Sequence, residues 1–157
     1  MKKRLFAVAL LSGCAASNYA YRFDLTDPGA RNVAKVGERA TLEDNDVRAE
    51  VLVDPTSFQA ILLDLTNKTS VPLDVKWGQI ILRQPNNVTL PLHPDAELPP
   101  ILPRMTSVAR LVTFVLPAQG AAAKAFDNTD FELVVPMQVQ GVTREYVYHL
   151  HATLQKL

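Results

Sequence analysis

The sequence predicts an all-β protein, an antiparallel β-sandwich of seven to eight strands. Three observations favour this fold: apolar and polar residues alternate with a period of two, turn residues recur about every 8–12 residues, and no long amphipathic helical pattern is present. The chain of 157 residues is long enough for one domain with its own core. We divide it into a signal peptide over 1–13, a tether over 14–39 and the sandwich domain over 40–157.

The N-terminal segment has the parts of an export signal. Lys2, Lys3 and Arg4 form a basic start, and the run from Leu5 to Leu11 is apolar throughout. This run is too short to cross a bilayer, which needs roughly 20 apolar residues. We therefore expect a cleaved signal and not a membrane-spanning helix.

The tether is predicted to be polar, with one strand of its own. Asp27-Pro28-Gly29 is a turn sequence. Tyr19, Tyr21 and Phe23 alternate with smaller or polar residues, so we expect part of this stretch to lie against the domain as an edge strand.

The first half of the domain is predicted to contain three strands. The first places four apolar residues on one face: Val47, Ala49, Val51 and Val53. The second, Phe58 through Leu65, is apolar on both faces, which is typical of a strand covered on both sides. The third follows a turn at Asn67-Lys68-Thr69-Ser70. It places four apolar residues on one face: Val71, Leu73, Val75 and Trp77.

The second half begins with a proline-rich segment, Pro85 to Pro103, which holds six prolines and cannot form an interior strand. We interpret it as a crossover connection between sheets; the alternative is a partner-binding loop of polyproline II character. Val108 to Leu116 predicts a strand, and Gln119 to Phe126 one or two helical turns. Two clearly alternating strands, on either side of a turn at Gln140-Gly141-Val142, complete the domain.

The segment Leu11-Ser12-Gly13-Cys14 resembles the lipobox of bacterial lipoproteins, which reads Leu, a small residue, Gly or Ala, and Cys. The resemblance implies that signal cleavage falls between Gly13 and Cys14 and that the Cys14 thiol carries a diacylglycerol. Cys14 is the only cysteine, so a lipidation role explains an odd thiol in an exported chain. The alternative is an ordinary secretory signal cleaved near Ala16 or Ala20.

The same resemblance implies a location. Two or three acyl chains would anchor the protein stably, since a single chain holds only marginally. Lipoproteins kept in the inner membrane commonly have Asp after the cysteine, whereas this chain has Ala15. We therefore expect the outer membrane, facing the periplasm, in a bacterium with two membranes. The domain also resembles immunoglobulin-like domains in having Trp77 on an early strand, although their cysteine pair is absent.

Charge excludes one class of partner. The whole chain has 16 basic and 16 acidic residues, and removal of the signal leaves a net charge of about −3. A mildly acidic protein has no electrostatic basis for binding nucleic acid. It also lacks a basic amphipathic stripe for lipid headgroups.

One metal site is a candidate. His149 and His151 are two residues apart on a predicted strand, so both imidazoles lie on one face, roughly 6.6 Å apart. This spacing suits Zn²⁺ or Cu²⁺, and His93 of the proline-rich segment would be a third ligand if that segment folded over the last strand. The alternative is that all three histidines are ordinary polar positions.

No catalytic motif is present. The chain lacks a Gly-x-Ser-x-Gly elbow, a His-Glu-x-x-His helix and a glycine-rich phosphate loop. Asp44 and Asp46 lie near a turn, where solvation explains them. We therefore expect a protein that is not an enzyme and needs no cofactor: an envelope lipoprotein serving as an adaptor or accessory subunit for another envelope protein. The alternative is metal binding or delivery by His149 and His151.

Overall fold

A computed structural model describes residues 19–26, 33–36, 39–53, 60–112 and 127–156. Two antiparallel sheets pack together in this part of the chain, which confirms the predicted all-β sandwich. The lipobox residues, including Gly13 and Cys14, lie outside the described residues, as do the helical turns predicted at Gln119 to Phe126.

The first sheet is built around a long hairpin. Its strands follow the order β1 (Tyr19–Leu25), β12 (Val142–Lys156), β11 (Thr129–Val139), β7 (Ile81–Arg83) and β8 (Thr89–Pro91), with β6 (Asp74–Val75) also paired to β11. β11 pairs with β12 only as far as Ala152, whereas β1 pairs with β12 up to Lys156. The ends of β1 and β12 therefore extend together past β11.

The second sheet contains six strands. Their order is β2 (Val33–Val36), β3 (Arg39–Glu43), β4 (Val47–Val53), β5 (Ala60–Asn67), β10 (Thr106–Val112) and β9 (His93–Pro94). Every neighbouring pair is antiparallel. The chain passes between the two sheets four times: after β1, β5, β8 and β10.

Eight strands have the order found in immunoglobulin domains. β4-β5-β10-β9 corresponds to A-B-E-D in one sheet, and β12-β11-β7-β8 to G-F-C-C′ in the other. β1 is added beside β12, and the β2–β3 hairpin is added beside β4. β1 and β2 come from the stretch 14–39, whereas β3 begins at Arg39 and lies mostly in the predicted domain. The alternation of Tyr19, Tyr21 and Phe23 predicts the first of these strands.

The predicted number of strands is too low, because the described residues form twelve. β6, β8 and β9 are only two or three residues long, too short to produce an alternating pattern. β8 ends at Pro91 and β9 at Pro94, and both strands lie at sheet edges. A missing backbone N–H is tolerated at an edge, so the proline-rich segment contributes edge strands and no interior strand, as predicted.

The core lies between the sheets and follows the alternation. Val47, Ala49, Val51 and Val53 are at most 3% exposed, as the sequence predicts. The predicted burial of both faces of Phe58 to Leu65 is wrong for the described part of it. Ile61, Leu63 and Leu65 are buried, but Leu62 and Asp64 are partly exposed, because the outer face of a two-layer sandwich has no covering layer.

The strand predicted from Val71 to Trp77 forms only in part. Leu73 and Val75 are buried, and Leu73 bridges to Ile101. Val71 is exposed. Trp77 is the first residue of a 3-10 turn, and its partly buried side chain packs against the core. The backbone leaves the sheet after Val75, which takes Trp77 out of the strand.

Two tyrosines of β12 join the sheets. The buried Tyr148 hydroxyl donates to the Ala49 carbonyl at 2.6 Å, and the Tyr146 hydroxyl donates to Asp44 Oδ2 at 2.6 Å. Burial raises the pKa of both hydroxyls, and for Tyr146 the hydrogen bond to the Asp44 carboxylate adds to this effect. Both phenols therefore remain protonated in the folded protein at neutral pH.

Asp44 fixes the β3–β4 turn and is more than a solvated turn residue. Its Oδ1 accepts hydrogen bonds from the backbone N–H groups of Asp46 and Val47, each at 2.8 Å, and the Arg144 guanidinium lies 3.3 Å from Oδ2. Burial alone would raise the pKa of Asp44, but the hydrogen bonds from Tyr146 and the backbone outweigh it, so the pKa is lowered.

Asn67 is a fully buried polar residue at the end of β5. Its Nδ2 donates to the carbonyls of Val71 and Ile101 at 2.8 and 2.9 Å. Its Oδ1 accepts from the Thr69 N–H at 2.9 Å and from the Thr69 hydroxyl at 2.8 Å. One side chain thus joins β5, the following turn and the loop that precedes β10.

Candidate functional site: the histidine face and its cleft

The histidine face is the outer surface of the first sheet around β11 and β12. His149 and His151 lie on this face, since Tyr148, Leu150 and Ala152 are fully buried on the opposite one. Both histidines are partly exposed. They therefore share a face, as the alternation predicts.

Acidic residues flank the two histidines. Glu132 of β11 is paired with His149, and Asp130 is paired with His151. Asp24 of β1 is paired with His151 on its other side. The His151 Nδ1 lies 2.7 Å from Asp130 Oδ1, so this contact turns the imidazole towards β11.

A row of polar side chains crosses from β12 to β7. His149 is opposite Glu132, and Glu132 is opposite Arg83. The Arg83 Nε donates to Glu132 Oε2 at 2.7 Å. Both side chains are about one third exposed, so the ion pair adds at most about 1 kcal/mol to stability. Its main consequence is that it fixes the position of two charged groups.

A cleft of about 580 Å³ opens beside this row, where the β7–β8 hairpin turns. This volume falls within the roughly 300–1,000 Å³ typical of small-molecule sites. The lining combines polar and apolar residues: Thr26, Arg83, Gln84, Pro85, Asn87, Asp130, Phe131, Glu132, His149 and Leu150.

The β7–β8 turn builds one wall of the cleft. The Asn87 N–H donates to the Gln84 carbonyl at 2.9 Å, and the Gln84 N–H donates to the Val88 carbonyl at 2.8 Å. Asn87 has a φ of 63°, the left-handed conformation that closes a three-residue hairpin loop and that asparagine tolerates well. The Gln84 residue is only 8% exposed, and its side-chain amide forms no hydrogen bond with the part of the chain that the structure describes.

His93 lies elsewhere. It belongs to β9 of the second sheet, where it pairs with Val112 and lines a separate cleft beside Trp77. The expected third ligand is therefore not brought to the histidine face, because this part of the proline-rich segment pairs with β10 and does not fold over β12. Among the described residues, no group of three or more His, Cys, Asp or Glu side chains is placed to hold a metal ion.

The histidine face offers binding groups without an activated nucleophile. Within the described ranges, neither His149 nor His151 hydrogen-bonds to a serine, threonine or cysteine side chain. A nucleophile activated by a base needs such a contact. The groups present are suited to hydrogen bonding and to holding charge.

Sequence reasoning found the two histidines but missed Gln84 and Arg83. The turn sequence Gln84-Pro85-Asn86-Asn87 is a recognisable signal for a hairpin end. This signal could have indicated that the side chains around Gln84 lie at a hairpin end of the sandwich. It could not indicate that Gln84 is only 8% exposed, because that depends on packing against distant parts of the chain.

No protein-family model, no curated protein and no solved structure matches this chain. Across the described residues, no helix is long and apolar enough to span a bilayer. The function is therefore inferred from the residues themselves.

Proposed function

We propose that this protein is a lipid-anchored envelope lipoprotein whose β-sandwich acts as a non-enzymatic adaptor or accessory subunit of an envelope assembly. The observation that carries the proposal is the lipobox Leu11-Ser12-Gly13-Cys14 behind a basic and apolar leader. Cleavage before Cys14 and acylation of its thiol would hold the mature chain in the outer membrane, facing the periplasm, in a bacterium with two membranes.

The anchor and the domain are close in the chain. Tyr19, the first residue of β1, follows Cys14 by five residues. An extended chain spans about 3.5 Å per residue, so the two Cα atoms are at most roughly 17 Å apart. The anchor would confine the domain near the membrane and raise its effective concentration for other envelope proteins.

The end of the sandwich opposite to Tyr19 is called the distal end here. Arg144, just after the β11–β12 turn, contacts the Asp46 carboxylate of the β3–β4 turn at 2.8 Å. The Lys68 N–H donates to the Asp46 carbonyl, and the neighbouring Asn67 N–H donates to the Met105 carbonyl. These contacts bring three turns, β3–β4, β11–β12 and the one after β5, together with the loop before β10 at one end of the molecule.

Large apolar side chains are exposed at the distal end: Val71 (41%), Leu102 (60%), Met105 (56%) and Val142 (58%). β12 runs from Val142 to Lys156, a length of about 48 Å at roughly 3.4 Å per residue. The exposed apolar residues therefore face away from the anchored end. Clustered apolar exposure is typical of protein contact surfaces, which supports a protein partner there.

The substitution Cys14→Ala tests the anchor. We expect the parent protein in the membrane fraction and C14A in the soluble fraction or unprocessed, because removal of the thiol removes the site of acylation. Metabolic labelling with an alkyne fatty acid checks the same point directly. A parent chain that takes up no label would contradict the proposal.

Site-specific photo-crosslinking tests the adaptor role. A photo-reactive residue at Met105 samples the distal end, and one at Val88, which is 45% exposed in the β7–β8 turn, is the matched control. We expect one adduct of defined mass from position 105, none from position 88, and loss of the adduct in C14A. Equal adducts at both positions, or none at 105, would count against an adaptor that binds through its distal end.

The alternative, metal binding or delivery by His149 and His151, has less support. His93 lies in the other sheet, and His151 already contacts Asp130. Two histidines would leave a Zn²⁺ or Cu²⁺ ion with an incomplete set of protein ligands.

A further inference from the structure

We propose that the cleft beside His149 binds an uncharged, hydroxyl-rich small molecule, namely a short saccharide. The proposal goes beyond the adaptor function and does not depend on the lipid anchor. It rests on the Gln84 amide, on the other side chains of the lining, and on the charge of the cleft.

The Gln84 side chain is the strongest indication of a ligand. It is more than nine-tenths buried, it lines the cleft, and its amide has no hydrogen-bond partner among the described residues. Across the described residues, no buried side-chain nitrogen or oxygen lacks a hydrogen-bond partner, so the Gln84 amide atoms are open to the cleft, where a ligand can reach them. A ligand that accepts from the amide N–H and donates to its carbonyl would satisfy both groups at once.

The other uncharged polar groups have the same dual character. Thr26, Asn87 and His149 line the cleft, and each side chain can both donate and accept hydrogen bonds. The His149 imidazole has no hydrogen bond to the described part of the chain, so both of its nitrogens are available. Sugar hydroxyls also donate and accept, and therefore match this set better than a ligand with acceptors only.

The apolar part of the lining suits a sugar ring. Pro85 is exposed on one wall, whereas Phe131 and Leu150 border the cleft but are almost fully buried in the core. The C–H face of a pyranose ring can pack on the Pro85 ring while its hydroxyls reach the polar groups. This division into an apolar surface and a few placed polar groups is common in small-molecule sites.

The charge of the cleft disfavours anions. Arg83 and His149 are the basic side chains among the lining residues, and Glu132 already pairs with Arg83. Asp130 adds a second negative charge. Phosphate or a carboxylate ligand would meet an excess of negative charge, whereas a neutral ligand would not.

The site can be tested by NMR titration of the full chain in a detergent without a sugar headgroup. The probes are a trisaccharide of N-acetylglucosamine, maltotriose, inorganic phosphate and a neutral dipeptide amide. We expect a saccharide at millimolar concentration to shift the Gln84 side-chain amide and His149 signals. Phosphate and the dipeptide amide should leave them unchanged.

Two glutamine variants localise the effect. Gln84→Met removes the amide at nearly constant size, and Gln79→Met makes the same change at an exposed position in the 3-10 turn. We expect Q84M to bind the saccharide about tenfold more weakly, the usual effect of losing hydrogen bonds to a ligand, and Q79M to bind like the parent. Q84M should unfold at nearly the same urea concentration as the parent, because the Gln84 amide makes no hydrogen bond with the described residues.

Three results would overturn the proposal: no saccharide shifts the cleft signals, phosphate or the dipeptide amide shifts them in place of saccharides, or Q84M binds as tightly as the parent. If Q84M does not fold, the titration of the parent chain decides alone, since it maps the site without a variant.

Discussion

The substitution Asn67→Asp is the sharpest test of how the distal end is held together. It keeps the size of the side chain and both interactions of Oδ1 with Thr69. It replaces Nδ2, which donates to the carbonyls of Val71 and Ile101, by an oxygen that cannot donate when ionised. The site is fully buried, so water cannot replace the lost donors.

The expected loss of stability has two parts. Two donated hydrogen bonds are worth about 1 kcal/mol each, about 2 kcal/mol together. The Ile101 carbonyl still accepts from the Leu73 N–H, whereas the Val71 carbonyl and Oδ1 of residue 67 compete for the one proton of the Thr69 hydroxyl. Burying a carboxylate beside two carbonyl oxygens adds at least about 2 kcal/mol. We expect N67D to lose about 4 kcal/mol of unfolding free energy at pH 7.

The loss should depend on pH in a defined direction. Burial raises the folded-state pKa of the introduced carboxyl above its unfolded value, so the penalty grows as pH rises above that unfolded value near 4. Near pH 4 the neutral acid can donate one hydrogen bond. We therefore expect the difference from the parent to shrink to about 1–2 kcal/mol there. Urea denaturation at pH 7 and pH 4 measures both values.

Asn86→Asp is the matched control. Asn86 is exposed, and its Oδ1 accepts from the Val88 N–H, an interaction that a carboxylate keeps. We expect N86D to change stability by less than about 0.5 kcal/mol. A loss in N67D below about 1 kcal/mol at pH 7, or the same loss at both pH values, would refute the assignment of Nδ2 as the donor that joins these loops.

Three further substitutions test the hydrogen bonds between the sheets. Tyr148→Phe removes the donor to the buried Ala49 carbonyl, and urea denaturation should show a loss of about 1–2 kcal/mol; a loss under about 0.5 kcal/mol would contradict it. The lowered pKa of Asp44 stabilises the fold above its unfolded pKa of 3.8, and this contribution is lost as pH falls through the folded value. The raised pKa of Tyr146 stabilises it below 10.0, and this is lost as pH rises further. Thermal unfolding across pH should show a smaller fall in Tm at acid pH in Asp44→Asn and a smaller fall at alkaline pH in Tyr146→Phe. If Tm falls with pH in these variants as steeply as in the parent, the hydrogen bond between Tyr146 and Asp44 does not stabilise the fold.

The sequence predicted the layers of the fold because alternation is a local signal. Val47 to Val53 and the β11–β12 hairpin were recognisable from their period of two. It underestimated the number of strands because β8 and β9 are short and are stabilised by pairing with distant neighbours. Trp77 was placed on a strand because its spacing continued the pattern, although the backbone turns away after Val75.

The candidate site was only partly predictable for a related reason. His149 and His151 could be assigned to one face, since two residues on one strand are placed by the strand itself. Bringing His93 to them required knowledge of which strand the proline-rich segment pairs with, and it pairs with β10. Burial of Gln84 and its neighbours on β11 depends on packing between strands that are far apart in the sequence.

Asn67 and Gln84 carry the same amide group and use it differently. Asn67 is fully buried, whereas Gln84 is 8% exposed and its amide is open to the cleft. All the hydrogen bonds of Asn67 are made within the protein, so any change that removes one of its donors should weaken the fold. The Gln84 amide is open to the cleft and makes no hydrogen bond with the described residues, so its removal should leave the stability nearly unchanged and weaken ligand binding. This reasoning requires a loss of stability at Asn67, and weaker saccharide binding without a loss of stability at Gln84.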